Sequence, residues 1–207
     1  MTVQQMSQTK KIDYLFHFTR IENLASILTH GLLTKSQSQL ANIPALTNDQ
    51  YRYDAEDAIC LSIGFPNYKM FYRLRRDNPE SDWVVLGIRP AVLWEKDCAF
   101  CVENAARKSV SCIPIGDRKG PEAFELLFRD FGDKKRNALK IPDKYPTNPQ
   151  AEVLVFGTVE PRYIVGLAFS KLATLQQFQG RTPIQMLSTS PYFGARSDYA
   201  HWTKQDG

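Results

Sequence analysis

The sequence predicts a mixed α+β fold built on small and largely antiparallel sheets. Short apolar segments at 58–63, 83–88 and 163–169 have the length of strands, and few helical segments lie between them. Strands and helices do not alternate regularly, as they would in a doubly wound sheet. The sequence also lacks G-x-G-x-x-G and G-x-x-x-x-G-K-[ST], which disfavours a Rossmann dinucleotide site and a P-loop.

Length and composition indicate one domain. The chain has 207 residues, of which 43% are hydrophobic, so it can bury one full core. We expect a polar N-terminal tail over residues 1–12 and a single domain over 13–207. No run approaches the roughly 18 apolar residues of a membrane helix, and the polar N-terminus lacks the apolar segment of a signal peptide. These features predict a cytoplasmic protein.

The first elements are a strand and a helix within YLFHFTRIENLASILTHGLL, residues 14–33. Thr19 and Glu22 have the T-x-x-E spacing of a capping box, which predicts that the helix begins there. Gly31 is the residue expected to end it. His17 would then lie beside the turn, where its side chain could reach a ligand, although a half-buried structural histidine is the alternative.

The middle of the chain begins with a long polar segment, residues 34–57, which contains Arg52 and reads as a loop. Loops of this length in compact domains are often functional. The elements expected after it are a strand at 58–63, a helix at 67–76 whose Tyr68 and Tyr72 share a face, a strand at 83–88, a helical turn after Pro90 and a brief strand at 98–102.

The later elements follow from similar patterns. Gly120-Pro121 starts a helix that Gly132 ends, and residues 134–150, rich in Pro and Lys, read as an exposed loop. The next strand, AEVLVFGTV, carries Glu152 at its otherwise apolar start. A strand at 163–169 and a short helix at 171–179 complete the pattern.

Basic residues are clustered, although 26 basic and 22 acidic residues give a net charge of only +4. Cations interleaved with aromatic rings suit a single nucleic acid strand, because cations meet phosphates and rings stack on bases. A solvated helix face and a basic loop are the alternative. The candidate nucleic-acid-binding residues are Arg73, Arg75, Arg76, Lys134, Lys135 and Arg136.

The cysteines do not predict a metal site. Cys98 and Cys101 form one C-x-x-C, but no second pair or histidine pair stands at zinc spacing. Cys60 lies in an apolar strand, where a buried free thiol is common. We therefore expect packing rather than metal binding.

Together with the loop that carries Arg52, three segments resemble the DarT family of DNA ADP-ribosyltransferase toxins. They are FHFTRIENLASILTHGLL around His17, AICLSIGFPNYKMFYRLR at 58–75, and PQAEVLVFG around Glu152. The resemblance extends from about Leu15 to about Phe169, and its compact middle is closer to the guanine-modifying subgroup. It implies split mixed or antiparallel sheets with flanking helices, and NAD as the ADP-ribose donor without a metal.

The resemblance also implies roles for individual residues. Glu152 would be the catalytic carboxylate, and Arg52 would bind the NAD pyrophosphate or steer the target base. The residues expected to hold NAD are His17, Thr19, Asn23, Tyr68 and Tyr72. The two tyrosines would pack the nicotinamide or line its pocket, with ordinary core or surface aromatics as the alternative. Breaking the nicotinamide–ribose bond builds positive charge on the sugar, so a carboxylate beside it is chemically appropriate.

The function implied is that of a toxin which transfers ADP-ribose from NAD to a base in single-stranded DNA, with guanine favoured over thymine. A macrodomain antitoxin is the implied partner. Two alternatives remain open at this point: an ADP-ribosyltransferase acting on RNA or protein, and a non-catalytic nucleic-acid-binding module.

Overall fold

A mixed seven-stranded sheet forms the centre of the protein. The structure is a computed structural model, and it describes residues 1–44, 57–188 and 190–203. The strands are β1 (Leu15–Arg20), β2 (Ala58–Ile63), β3 (Trp83–Ile88), β4 (Asp97–Cys101), β5 (Glu152–Phe156), β6 (Ile164–Phe169) and β7 (Gln185–Ser188). They lie in the order β4-β5-β2-β1-β3-β6-β7. Neighbours are antiparallel except for β6 and β7. The predicted α+β class is confirmed.

The sheet is divided between β1 and β2. These strands pair through Leu15–Ile63 and Phe16–Ser62, whereas β1 pairs with β3 along all six of its residues. The two halves, β4-β5-β2 and β1-β3-β6-β7, therefore meet at one end and diverge beyond it. This is the split arrangement that the family resemblance implies.

Nine α-helices surround the sheet in the described part of the chain. They are α1 (Val3–Thr9), α2 (Leu24–His30), α3 (Lys35–Leu40), α4 (Tyr68–Asp77), α5 (Val92–Glu95), α6 (Lys108–Ser111), α7 (Gly120–Leu126), α8 (Arg136–Leu139) and α9 (Leu172–Phe178). Side chains of β3 alternate between two cores, as a strand buried on both faces requires. Leu86 packs in the main core with Leu24 of α2 and Phe124 of α7, while Val85 packs with Phe71 of α4.

The start of α2 differs from the expected capping box. Thr19 lies within β1, where it pairs with Val84 of β3, and a short 3₁₀ turn, Ile21–Asn23, precedes the helix without a side-chain cap. The extended pairing of β1 with β3 therefore holds Thr19 in a strand. The predicted end is right, because Gly31 ends the helix with φ 83°.

The segment expected to be one long loop contains a helix. Thr34 and Gln37 form the capping box that begins α3. Asp57 stabilises the start of α3. Its carboxylate accepts hydrogen bonds from the Thr34 hydroxyl at 2.8 Å and from the Ser36 backbone N–H at 3.2 Å. Arg52 lies outside the described residues.

The N-terminal residues differ from the polar tail suggested by their composition. Thr2 and Gln5 form a capping box that begins α1. Met6 and Ile12 are 6% and 7% exposed and belong to the main core. These apolar side chains, with Val3 packed beside them, anchor the segment to the domain.

Residues 134–150 are not the exposed loop that was predicted. They contain α8, and Thr147 and Asn148 are buried. The reason is Arg196, 2% exposed, whose guanidinium donates to the carbonyl oxygens of Pro146 and Thr147, both at 2.8 Å. Asp198 accepts from the same guanidinium at 2.6 Å. The C-terminal segment and this loop thus cover each other.

The end of α7 and the strand β7 also differ from expectation. The helix ends at Leu126 rather than near Gly132, and β7, which has no clear pattern in the sequence, adds to the sheet in parallel with β6. Within the described ranges, none of the helices has the length and apolar character needed to cross a bilayer.

Candidate active site

A cavity of about 860 Å³ occupies the split in the sheet. Its walls come from the diverging parts of β1 and β2, from the connection between α2 and α3, and from the start of α4. Glu152 and Asn104 close it on the side of β5. The cavity thus lies between the two half-sheets, where a ligand would contact both.

Glu152 is held in a fixed orientation at this cavity. Only 7% of its surface is exposed, and a buried carboxylate needs hydrogen bonds to remain charged. One oxygen accepts from the backbone N–H of Ala105 at 2.8 Å, and the other accepts from the Asn104 amide at 3.2 Å. Both donors belong to the turn that follows β4, so this turn aims the carboxylate.

His17 bridges the opening between β1 and β2. Its Nδ1 lies 2.9 Å from the carbonyl oxygen of Cys60. Because a carbonyl can only accept, Nδ1 must carry a proton, and in the neutral form of the ring Nε2 is then the acceptor nitrogen. The strand contact therefore selects the tautomer of a histidine that lines the cavity.

Thr19 and Asn23 form a pair beside His17. The Asn23 amide donates to the Thr19 hydroxyl at 2.9 Å. Both side chains line the cavity, and they are 3% and 9% exposed. The structure brings these two residues together with His17 and Glu152, as expected for one site.

The tyrosines of α4 lie elsewhere. Tyr68 is buried and Tyr72 is 61% exposed, so they do not share one environment, and neither is among the described residues that line the cavity. The contacts from this region come from Asn67 and Met70. Sequence reasoning did not identify Asn67, although asparagine directly before a helix is a recognisable N-cap signal.

Two of the proposed nucleic-acid-binding arginines contact their own chain. Arg75 donates to the Phe193 carbonyl at 2.6 Å and stacks on Phe71. Arg136 donates to the carbonyl oxygens of Tyr145 at 2.8 Å and Pro142 at 2.9 Å. Burial lowers the pKa of both guanidinium groups. Asp143 opposes this shift at Arg136, while the positive charge of Arg196 adds to it. These contacts indicate that Arg75 and Arg136 stabilise the fold.

Of the other basic candidates, Arg73, Arg76 and Lys135 are exposed, whereas Lys134 is partly buried. Arg73 is exposed on α4, and Arg76 is exposed while pairing with Asp77 at 2.9 Å. Lys134 and Lys135 pair with Asp133 and Asp130 at 3.0 and 3.3 Å. A basic surface on α4 therefore remains available to a phosphate backbone.

The described cysteines are free thiols. Burial raises the pKa of Cys98 to about 12, so this thiol stays protonated and acts as an apolar side chain. Across residues 1–44, 57–188 and 190–203, no three His, Cys, Asp or Glu side chains are grouped so that they could hold a metal ion.

A family model and solved structures both relate this chain to DarT proteins. A family model described as the ssDNA thymidine ADP-ribosyltransferase DarT matches residues 16–192. A comparison with curated proteins finds no match.

Several solved structures share the fold. Thermosipho africanus DarTG in complex with ADP-ribose is 18% identical with a TM-score of 0.59, covering 87% of this chain and 51% of that one. This chain therefore spans about half the length of that protein. Thermus sp. 2.9 DarT is similar in its complex with ADP-ribosylated ssDNA, at 15% identity and TM-score 0.57, covering 89% and 97% of the two chains. The complex of Thermus sp. 2.9 DarT with NAD+ is 14% identical with a TM-score of 0.55, covering 89% of this chain and 98% of that one.

Proposed function

The chain belongs to the DarT family of ssDNA thymidine ADP-ribosyltransferases, and we propose that it transfers ADP-ribose from NAD to a base in single-stranded DNA, acting as a toxin in the cytoplasm. The observation that carries this proposal is the position of Glu152. A buried carboxylate, held by Ala105 and Asn104, lies in the same cavity as His17.

Glu152 would act on the ribose. When the bond between nicotinamide and ribose C1′ breaks, its electron pair leaves with nicotinamide and the sugar becomes positively charged. A carboxylate beside the sugar stabilises that charge. The acceptor base then forms a new bond to C1′, and Glu152 can take the proton that the base nitrogen loses.

His17, Thr19 and Asn23 would hold the donor. The acceptor nitrogen Nε2 of His17 suits a ribose hydroxyl, which can donate to it. The Asn23–Thr19 hydrogen bond fixes both side chains beside that imidazole. Arg52 remains a candidate for the pyrophosphate or the target base, because its planar guanidinium matches phosphate geometry.

The acceptor strand would lie along α4. Arg73 and Arg76 offer cations, and Tyr72, at 61% exposure, offers a ring on which a base can stack. A single strand is the expected substrate because a base in a duplex must first leave its stack, which costs a few kcal/mol. We favour guanine over thymine as the acceptor from the compact middle of the sequence, although the family description names thymidine.

Mass spectrometry of oligonucleotides tests this function. Single strands containing guanine but no thymine, and thymine but no guanine, are incubated with the protein and NAD, beside the same sequences as duplexes. We expect an ADP-ribosyl group on a guanine of the single strand. Addition to thymine alone would overturn the base preference, and label on RNA or on protein instead of DNA would overturn the acceptor class.

The toxin role has its own test. We propose that a macrodomain enzyme removes the adduct, so expression of this chain should stop bacterial growth and coexpression of such an enzyme should restore it. A chain carrying Glu152→Gln should leave growth unaffected. Arrest by that variant would contradict a toxicity that depends on transfer.

A further inference from the structure

Asn67 has a buried hydrogen-bond donor at the cavity. The residue is 2% exposed and lines the cavity. Its amide nitrogen Nδ2 is buried without an acceptor in the described structure. Among the described residues with such a buried, unsatisfied polar atom, Asn67 is the one that lines the cavity.

The orientation of this amide is fixed by chemistry. The side-chain oxygen of Asn67 accepts from the backbone N–H of Met70 at 3.2 Å and thereby caps α4. Since only the oxygen can accept, the amide cannot be flipped without losing the cap. The backbone N–H of Asn67 is used as well, because it donates to the Ser62 hydroxyl at 3.1 Å. The NH₂ group is therefore the remaining polar group of this residue.

Asn67 is connected through Ser62 to the region where Glu152 lies. Ser62, its hydrogen-bond partner, lies at the closed end of the split, where it pairs with Phe16 of β1. The neighbouring strand β5 begins at Glu152 and pairs with β2 up to Leu61–Val153. The register thus puts Ser62 next to the start of β5, and Asn67 is bonded to Ser62.

We propose that Nδ2 of Asn67 donates a hydrogen bond to an amide-type carbonyl oxygen of a substrate bound in the cavity. A buried donor without an acceptor is costly, and a bound carbonyl removes that cost. The proposal rests on the proposed function, whose substrates offer such an oxygen in two places: the carboxamide of nicotinamide and the carbonyl of the acceptor base.

Two substitutions separate the donor from the cap. Asn67→Asp and Asn67→Ser both keep an oxygen that can cap α4, and both remove the NH₂ group. The matched control is Asn78→Asp, the same exchange at the other end of α4 and outside the cavity. Thermal unfolding of all three variants shows whether the fold is kept.

The measurements are calorimetric titration with NAD and the steady-state kinetics of transfer to a single-stranded oligonucleotide. For Asn67→Ser we expect a loss of roughly 3- to 10-fold, the scale of one neutral hydrogen bond. Asn67→Asp should lose more, because a carboxylate repels a carbonyl oxygen. If NAD affinity falls, the carbonyl is that of nicotinamide; if NAD affinity is unchanged and kcat/KM for the oligonucleotide falls, it is that of the base.

Wild-type affinity and kinetics in both Asn67 variants would overturn the inference. A wild-type protein that transfers nothing to any acceptor would instead overturn the proposed function. In that case the NAD titration still decides the inference, and unchanged affinity counts against it.

Discussion

The imidazole of His17 is joined to the backbone of Cys60, with 2.9 Å between Nδ1 and the carbonyl oxygen, where β1 and β2 have already stopped pairing. One side chain thus continues the connection between two strands whose backbones diverge. The same contact determines which ring nitrogen accepts. The residue proposed to bind the ribose is therefore also a structural link between the two strands.

Glu152→Gln tests the carboxylate. The amide keeps nearly the same shape but carries no charge, so kcat for ADP-ribose transfer should fall by more than the roughly 100-fold typical of one acid–base group. The measurement is transfer of labelled ADP-ribose to single-stranded DNA. The matched control is Glu160→Gln, since Glu160 pairs with Lys96 away from the cavity. Near wild-type transfer by the Glu152 variant would exclude it as the catalytic group.

His17→Ala should weaken NAD binding and turnover together, because the variant loses the proposed ribose contact. Calorimetric titration with NAD measures the affinity. His30→Ala is the control, since His30 is exposed at the end of α2 and lies outside the cavity. Unchanged affinity combined with a lower Tm would show that His17 serves only to join the strands.

Charge reversal should distinguish an exposed arginine proposed to bind DNA, Arg73, from one that stabilises the fold, Arg136. Arg73→Glu should weaken binding of single-stranded DNA and reduce its salt dependence, because fewer counterions are released. Its Tm should stay unchanged. Arg136→Glu should instead lower the Tm, since several backbone carbonyls lose their donor. Fluorescence anisotropy across a salt series and thermal unfolding provide the readings; equal effects of both variants on DNA binding would contradict the distinction.

Gly31→Ala should destabilise the fold by more than about 1 kcal/mol. Gly31 has a positive φ of 83°, and a Cβ there would lie 2.3 Å from the Val159 carbonyl oxygen. Denaturant unfolding measures the free energy. Gly116→Ala is the control because, apart from its chain neighbours and the backbone of its own helical turn, no atom lies within 4 Å of its added Cβ. A Gly31 variant as stable as the control would contradict the steric argument.

Asp198 should make the protein sensitive to acid. Burial alone would raise the pKa of this carboxyl, but hydrogen bonds from Arg196 and Trp202 and the charge of Arg196 outweigh it, and the net pKa is lowered. A lowered folded pKa means that the stability is present above the unfolded value of about 3.9 and is lost as the pH falls through the folded pKa.

Asp198→Asn should therefore flatten the decline of Tm below about pH 4. At neutral pH it should cost about 3–5 kcal/mol, because Arg196 stays buried without its charge partner. The exposed Asp117, replaced by Asn, is the control. A Tm profile that still follows the wild type below pH 4 would assign the acid sensitivity to other carboxylates.

The sequence predicted most of the strands because they are local apolar patterns, whereas β7 lacks such a pattern and was missed. β2 and β3 have the expected bounds, and the end of α2 at Gly31 follows from one residue's conformational preference. The start of α2 could not be predicted in the same way, because the pairing of Thr19 with β3 depends on residues 65 positions away.

In the candidate site, too, features that depend on distant residues could not be predicted from the local sequence. Glu152 and His17 stand out as polar residues in apolar strands, so their positions could be anticipated. Tyr68 and Asn67 could not be distinguished, because the face of α4 that meets the cavity is fixed by tertiary packing. Likewise, Arg136 resembles any residue of a basic run until its carbonyl partners are known.

The anchoring of α4 bears on how the protein is made. Lys69 donates to the Trp202 carbonyl at 2.9 Å, Arg75 donates to the Phe193 carbonyl at 2.6 Å, and the rings of Phe71 and Phe193 lie 5.4 Å apart. These partners are separated by more than a hundred residues of chain, and such contacts form slowly. The ribosome must synthesise residues 190–203 before α4 is secured, so this wall of the cavity assembles only after the strands of the sheet have been made.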